Sequence, residues 1–170
     1  MTKSGDYILK FVTVLVILLT INSSVFSQYG PTSLTGPRLG FTIIGGEMAE
    51  KLKDDYDAVP IVTQFGWQFE WRFFSIEDGP TGVVEIIPLI GGVEQNLFLP
   101  SLSALIGIRS KTGVEFRMGP NVSVSGFSIV LSGGVTLKSG VLNWPLNLAY
   151  VPTQNGGRLT FLFGFNMIIQ

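Results

Sequence analysis

Glutamates and arginines recur at alternate positions of apolar segments, and they are the residues with which this chain could do chemistry. Glu70, Glu85 and Glu115 are the carboxylates in these segments. Two carboxylates held close together can act as general acid and base, because burial and mutual repulsion raise the pKa of one of them. Glu70 and Glu115 are therefore the candidates for a carboxylate-dependent hydrolase. The interleaved arginines favour the other interpretation, which is structural ion pairing.

Other catalytic and binding chemistries are excluded by residue type. The chain contains no histidine and no cysteine, so Ser–His catalysis, histidine or thiolate metal ligation, disulfides and lipid attachment to cysteine are not available. The glycine-rich nucleotide motifs are absent. The net charge is −1 without a basic run, which argues against a nucleic-acid partner. We expect no cofactor.

An acidic segment raises the question of a calcium site. Its carboxylates are Glu47, Glu50, Asp54, Asp55 and Asp57. The stretch DDYDAVP lacks the glycine and the final glutamate of an EF-hand loop, so we expect no metal there. The surrounding EMAEKLKDDYDA is the helical candidate, since its apolar residues recur every four positions.

Apolar and polar residues alternate with a period of two in most of the chain, which predicts β-strands. The predicted strands are Arg38–Gly45, Val62–Ser75, Thr81–Gly91, Ser101–Arg109, Val114–Val122, Phe127–Lys138, Val141–Val151 and Arg158–Ile168. Most have about the 9–11 residues that a tilted membrane strand requires. Pro88 and Pro145 fall inside two of them, which predicts bulges or strand ends at these positions.

The N-terminus has the pattern of an export signal. Lys3 and Lys10 precede the apolar run FVTVLVILLTI, and Val25 and Ser27 occupy the small-residue positions before Gln28. The run is too short to span a bilayer as a helix, which needs about 20 residues. We expect residues 1–27 to be a cleaved signal peptide, residues 28–37 a short N-terminal segment, and residues 38–170 one barrel domain.

The stretch FGWQFEWRFF shows the two faces of the predicted strands most clearly, because one face is entirely aromatic and the other is polar. The aromatic residues on the apolar face of the strands are Phe65, Trp67, Phe69, Trp71, Phe73, Trp144, Phe161, Phe163 and Phe165. The charged residues predicted for the opposite face are Glu70, Arg72, Glu85, Arg109, Glu115, Arg117, Lys138 and Arg158. One of these two faces must line the interior of a barrel.

Two architectures use such a pattern. In a soluble, lipocalin-like periplasmic barrel that binds an apolar ligand, the apolar face points inward; in a membrane barrel it faces lipid. An eight-stranded barrel has an interior just wide enough for side chains, and five large aromatics from one strand would overfill it. Only 14% of the residues are charged, where roughly 25% is usual for soluble proteins. The pattern favours the membrane barrel, with its interior plugged by an ion-pair network.

With these features the chain resembles the small eight-stranded outer-membrane barrels of the OmpA and OmpX type, in architecture and not in motif. RLTFLFGFNM resembles the terminal strand that such proteins present to the barrel assembly machinery. It differs from the usual form of that strand because the sequence runs on through MIIQ instead of stopping at a terminal phenylalanine. The resemblance implies a closed antiparallel up-and-down transmembrane barrel in the outer membrane of a diderm bacterium, with membrane lipid around it. That family spans structural, binding, porin-like and lipid-modifying proteins, so it does not fix the function.

Elimination of other chemistry favours a non-enzymatic protein with a structural or surface-binding role. The longest and most charged connection, from Gly46 to Ile61, is the candidate for binding an extracellular partner, because exposed loops usually carry recognition. The alternatives that remain at this stage are the lipocalin-like barrel and a lipid-modifying enzyme that uses Glu70 or Glu115.

Export predicts a defined mature N-terminus. We expect the protein purified from membranes of the expressing cell to begin at Gln28, because the apolar run that follows the lysines leads into the cleavage motif Val25-Phe26-Ser27. N-terminal sequencing measures this directly. A mature chain that still begins at Met1 would contradict the prediction.

Overall fold

The computed structural model, which describes residues 34–153 and 156–167, is a closed antiparallel β-barrel. Each strand pairs with the next one along the chain, and β1 pairs with β8 to close the sheet. The strands are β1 Gly36–Ile44, β2 Ile61–Ser75, β3 Thr81–Gly91, β4 Leu99–Arg109, β5 Val114–Ser123, β6 Gly126–Ser139, β7 Leu142–Thr153 and β8 Gly156–Gly164. A two-residue strand, β9 (Asn166–Met167), continues the line of β8 and pairs with β7 in the same register.

The predicted eight-stranded antiparallel barrel is therefore confirmed. The observed strand bounds lie within two residues of the predicted ones, except that the predicted end at Ile168 lies outside the described residues. The predicted signal peptide also lies outside them. Accuracy of this kind is expected where the period of two is unbroken, because a shift by one residue would move every side chain to the wrong face.

The apolar face of the strands points away from the barrel interior. Eight of the nine predicted aromatics are exposed, and the ninth, Phe161, is half-buried against Phe41 with ring centroids 5.7 Å apart. A lipocalin-like arrangement would place these side chains inside, so that reading is wrong for this chain. The reason is steric, because the narrow interior is already filled.

The interior is not purely polar, contrary to the sequence reading. Six aliphatic side chains form one cluster midway along it; they are Ile87, Leu89, Leu105, Val130, Val151 and Leu162. All are at inward positions of their strands, next to polar residues, and the sequence analysis assigned no role to them. Charged and polar side chains lie on both sides of this apolar layer.

Neither proline marks a bulge or a strand end. Pro88 pairs with Leu102 of β4 and Pro145 pairs with Thr136 of β6, and the register is continuous through both. Towards the other neighbour, each ladder has a short gap beside the proline, between β2 and β3 for Pro88 and between β8 and β9 for Pro145. The missing N–H interrupts one side of the ladder and leaves the strand intact. The bulge lies elsewhere, between Arg72 and Phe74 of β2.

One end of the barrel is covered by the β1–β2 connection. Helix α1 (Glu47–Tyr56) has acidic residues in its first turn and Lys53 in its last, which suits the helix dipole. It ends at Asp57, which adopts a left-handed conformation with φ 51°. Its buried Leu52 packs against Ile44, Ala58 and Val62. Within residues 34–153 and 156–167, no helix is both long and apolar enough to cross a bilayer.

The β3–β4 connection holds this cover in place. Its 3-10 turn, Val93–Gln95, lies beside the segment that enters β2. The Gln95 side chain accepts a hydrogen bond from the Val59 N–H at 2.7 Å and donates one to the Ile61 carbonyl at 2.8 Å. Glu94 accepts a bond from the Thr63 N–H at 2.8 Å. The helix is thus fixed by one apolar contact patch and by a second loop.

Leu52 should therefore decide whether α1 docks. We expect Leu52→Ala to speed amide hydrogen exchange throughout Glu47–Tyr56, because truncating a buried leucine costs about 2–5 kcal/mol and the cover is small. Tyr56→Ala is the matched control, since Tyr56 lies on the same helix but is 63% exposed. Equal exchange in the two variants would show that Leu52 does not hold the helix.

Candidate functional site: a buried ion-pair layer and a covered mouth

Strand register brings the charged residues together. Glu70 of β2 lies directly opposite Glu85 of β3, and Arg109 of β4 lies directly opposite Glu115 of β5. Arg117 is two residues further along β5, so it points to the same inner face. Side chains directly opposite in an antiparallel pair lie on one face with their Cβ atoms about 4.5–5.5 Å apart. Two glutamates at such a spacing need cations close by.

Arg109 provides the first of these cations. Its Nη1 donates to Glu70 at 3.0 Å, its Nε donates to Glu115 at 3.1 Å, and its Nη2 contacts both carboxylates. The guanidinium is therefore shared between the two glutamates that sequence analysis proposed as a catalytic pair. Thr136 donates to the other oxygen of Glu115 at 3.0 Å.

Arg117 provides the second cation and is completely enclosed. Its Nη1 donates to Glu85 at 2.6 Å and lies 3.8 Å from Glu115. Its Nη2 donates to the Asn147 side-chain oxygen. A Cβ atom at Gly134 would collide with Asn147, so the glycine creates the space for this contact. Gly134 therefore serves close packing, and the register between β5 and β6 is continuous through it.

Arg38 is the third cation, and the sequence analysis missed it. It is fully buried, and its Nε donates to Gln68 at 3.0 Å. Its Nη2 donates to the Leu34 carbonyl at 2.6 Å, while the Leu34 N–H donates to Glu70 at 3.1 Å. The signal was present in the sequence, because Arg38 alternates with Leu39 and Phe41 as the other arginines alternate with their apolar neighbours.

The enclosed layer thus contains three carboxylates and three guanidinium groups. The carboxylates are Glu70, Glu85 and Glu115, and the cations are Arg38, Arg109 and Arg117. A buried charge is tolerated only when it is paired and hydrogen-bonded, and a neutral set of six satisfies that requirement more easily than an unequal one.

Three other predicted members lie outside this enclosed layer. Arg72 is exposed beside the β2 bulge, so its placement among the buried charges is corrected. Lys138 is half-buried. Arg158 lies towards the helix-covered mouth, where it donates to Ser123 at 2.9 Å and to Asn121 at 2.8 Å. Alternation identifies the face of a strand, but it does not identify the depth along the barrel axis.

The acidic residues of the candidate binding loop are all exposed, on and just after α1; they are Glu47, Glu50, Asp54, Asp55 and Asp57. Within the described part of the chain, no three acidic side chains are placed so that together they could hold a metal ion. The geometry presents a solvated acidic surface over the barrel mouth.

Comparison with known proteins adds one structural likeness. No protein-family model matches the chain, and no curated protein matches its sequence. Among solved structures, the chain is similar to the crystal structure of Ail, the attachment invasion locus protein of Yersinia pestis. The identity is 10%, the match covers 78% of this chain and 96% of that one, and the TM-score is 0.30.

Breaking the buried layer should be far more damaging than breaking a surface pair. We expect Arg117→Met to lower the free energy of unfolding by about 3–5 kcal/mol, because it leaves Glu85 buried without its closest cation. Adding Glu85→Leu to that variant should restore part of the loss. Urea titration of the protein in lipid vesicles measures both.

The matched control is the exposed pair Lys111–Asp78, with side chains 60% and 82% exposed. The Lys111 ammonium donates a hydrogen bond to Asp78 and holds its pKa below the usual value. The contribution of this ion pair to the free energy of unfolding is therefore present above the usual pKa of aspartate. It disappears as the pH falls through the lowered pKa of Asp78. Lys111→Met should change little. If Lys111→Met and Arg117→Met lowered the free energy of unfolding equally, the buried ion pairs would be no more important for stability than an exposed one.

Proposed function

We propose that this chain is an outer-membrane protein, surrounded by lipid, with a structural or surface-binding role. The observation that carries the proposal is the sidedness of the barrel, because large apolar side chains cover its outside and paired charges fill its inside. In water that arrangement would expose far more apolar surface than soluble proteins tolerate. In a bilayer it places the apolar face against hydrocarbon, and closure leaves no unpaired sheet edge.

The strand lengths support the same placement. The eight barrel strands have 9 to 15 residues, and a tilted membrane strand needs about 9–11. The connections 76–80, 110–113 and 140–141 are short and lie at one end, as periplasmic turns do in such barrels. The helix-bearing connection lies at the other end, which we place outside the cell. Delivery by the signal peptide and insertion by the barrel assembly machinery complete this proposal.

The ion-pair layer supports a plugged interior and not a wide pore. Arg109 bonds side chains of β2 and β5, and Arg117 bonds side chains of β3 and β7. Arg38 of β1 bonds Gln68 of β2, and Leu34 is buried beside them. The same contacts argue against a lipid-modifying carboxylate pair. Glu70 and Glu115 are both hydrogen-bonded to Arg109, so each is already committed as an acceptor.

Recognition is best supported at α1 and its flanks. Between Gly46 and Ile61 there are five carboxylates and two lysines, which gives a net charge of 2 − 5 = −3. The helix is fixed to the barrel through Leu52 and presents its acidic residues to solvent. A rigid acidic surface of this kind suits a cationic partner, since electrostatic complementarity favours association and specificity.

Placement in the membrane predicts a strong effect of charge on the outer face. We expect Phe69→Arg to destabilise the inserted barrel by about 2–4 kcal/mol, because Phe69 lies mid-strand on the outer face and an arginine there must be buried in hydrocarbon. Phe98→Arg is the matched control, since Phe98 is 68% exposed in the β3–β4 connection and outside the strands. Unfolding in vesicles measures the difference. A Phe69→Arg barrel that stays soluble and folded without detergent would argue against the membrane.

Two variants distinguish a binding role from an enzymatic role. Deleting residues 47–57 should remove salt-sensitive binding of a cationic probe peptide to reconstituted vesicles and leave the barrel folded, because the strands do not depend on the acidic surface. Glu70→Gln keeps that surface and should retain binding in the molecules that fold. If the deletion changes nothing and Glu70→Gln removes a measurable lipid-modifying activity, the binding role is wrong.

A further inference from the structure

A small chamber with a mixed polar and apolar wall lies inside the barrel, between the ion-pair layer and the covered mouth. Its volume is about 50 Å³, and its wall includes the aliphatic cluster of the interior. Arg117, Gln68 and Asn147 line it from the ion-pair layer, while Arg158, Asn121 and Gln64 line it from the mouth. The chamber is distinct from the acidic outer surface on which the proposed binding role depends.

Several buried polar atoms around this chamber have no hydrogen-bond partner among the described residues. They are Gln64 Oε1, Gln68 Nε2, Arg117 Nε and Arg158 Nε. All four belong to side chains that line the chamber. Leaving several buried polar atoms unsatisfied is costly, and native interiors satisfy most of them. The presence of four such atoms around one cavity indicates that something in the cavity completes their bonding.

The donor and acceptor character of these atoms limits what that occupant can be. The two arginine Nε atoms are donors. Gln68 Nε2 is also fixed as a donor, because the other end of that amide accepts the bond from Arg38 Nε. No hydrogen bond from a described residue fixes the Gln64 amide, so it can present either its oxygen or its nitrogen to the chamber. Water satisfies the set in both orientations. A ligand that both accepts and donates hydrogen bonds therefore matches the set, whereas a simple anion, which offers only acceptors, matches one amide orientation alone.

We infer that the chamber binds a cluster of ordered water molecules. Its volume has room for about three to five of them at about 10–15 Å³ each. The polar groups in the wall supply the water molecules with partners, and the water satisfies Gln64, Gln68, Arg117 and Arg158 in return. The water cluster is then part of the interior structure, on the mouth side of the ion pairs.

Arg158 lies at the boundary between this chamber and the mouth of the barrel. It lines the chamber, a smaller cavity of about 40 Å³ beneath α1, and a larger groove of about 580 Å³ at the mouth. Its two terminal nitrogens are held by Ser123 and Asn121. At the other end the ion-pair layer closes the interior. Chamber water should therefore exchange with the outside past Arg158.

Magnetisation transfer from water to side-chain N–H groups tests the inference in the full protein. The probe is the solvent itself, with isotope-labelled protein folded in detergent micelles. We expect cross-peaks typical of long-lived bound water at Gln68 Nε2, Arg117 Nε and Arg158 Nε. Arg109 Nε, which donates to Glu115 within the ion-pair layer, is the internal control and should show none.

Two further arms keep the test decisive. Ala149→Leu fills part of the chamber, because Ala149 lines it and packs on the aliphatic cluster, and the variant should weaken the cross-peaks at Gln68 and Arg117. Sodium bromide titration should leave the three N–H resonances unchanged beyond a general salt effect. Absence of the cross-peaks in folded wild-type protein would overturn the inference, as would a saturable bromide-dependent shift, which would identify an anion site. If Ala149→Leu does not fold, the wild-type and bromide arms decide.

Discussion

A narrow barrel with an apolar outside can enclose charges only if they neutralise one another, and the interior of this protein is organised by that constraint. Glu70 and Glu85 lie on the adjacent strands β2 and β3, and Glu115 lies on β5. The three carboxylates would repel one another without cations between them. Arg109 and Arg117 supply two of these from β4 and β5, and Arg38 supplies the third from β1. Strands distant in sequence are thereby joined through the lumen as well as around the sheet.

The sheet stays continuous although some of its strands contain proline, which has no backbone N–H to donate. Pro88 and Pro145 each remove one donor, but the register passes through them unchanged. A closed barrel can accept such a loss where the remaining bonds on the other side of the strand hold it in place. Gly134 serves packing in a similar way, since the absence of a Cβ atom lets Asn147 reach Arg117.

The two ends of the barrel differ for physical reasons. One end has short turns and the buried Leu34 beside the ion-pair layer. The other has a helix that is held by a small apolar patch and by Gln95, with its acidic residues in solvent. A stiff scaffold that presents a charged surface on one connection is a common arrangement for recognition. The two ends differ because the paired charges and Leu34 can be buried at one end, whereas the acidic residues of α1 stay in solvent at the other.

The sequence by itself determined the eight barrel strands, their bounds to within two residues apart from the end of the last strand, and the face of each strand, because alternation with a period of two is a local property. It also determined that Glu70, Glu85, Arg109, Glu115 and Arg117 point the same way. Only the tertiary structure decided how deep each charged side chain lies along the barrel axis and which charged group it pairs with. Arg72 and Arg117 have the same alternation, but one is exposed beside a bulge and the other is enclosed at the centre of the layer. Register between strands, and not the pattern within a strand, sets which charge meets which, and register depends on the closed sheet as a whole.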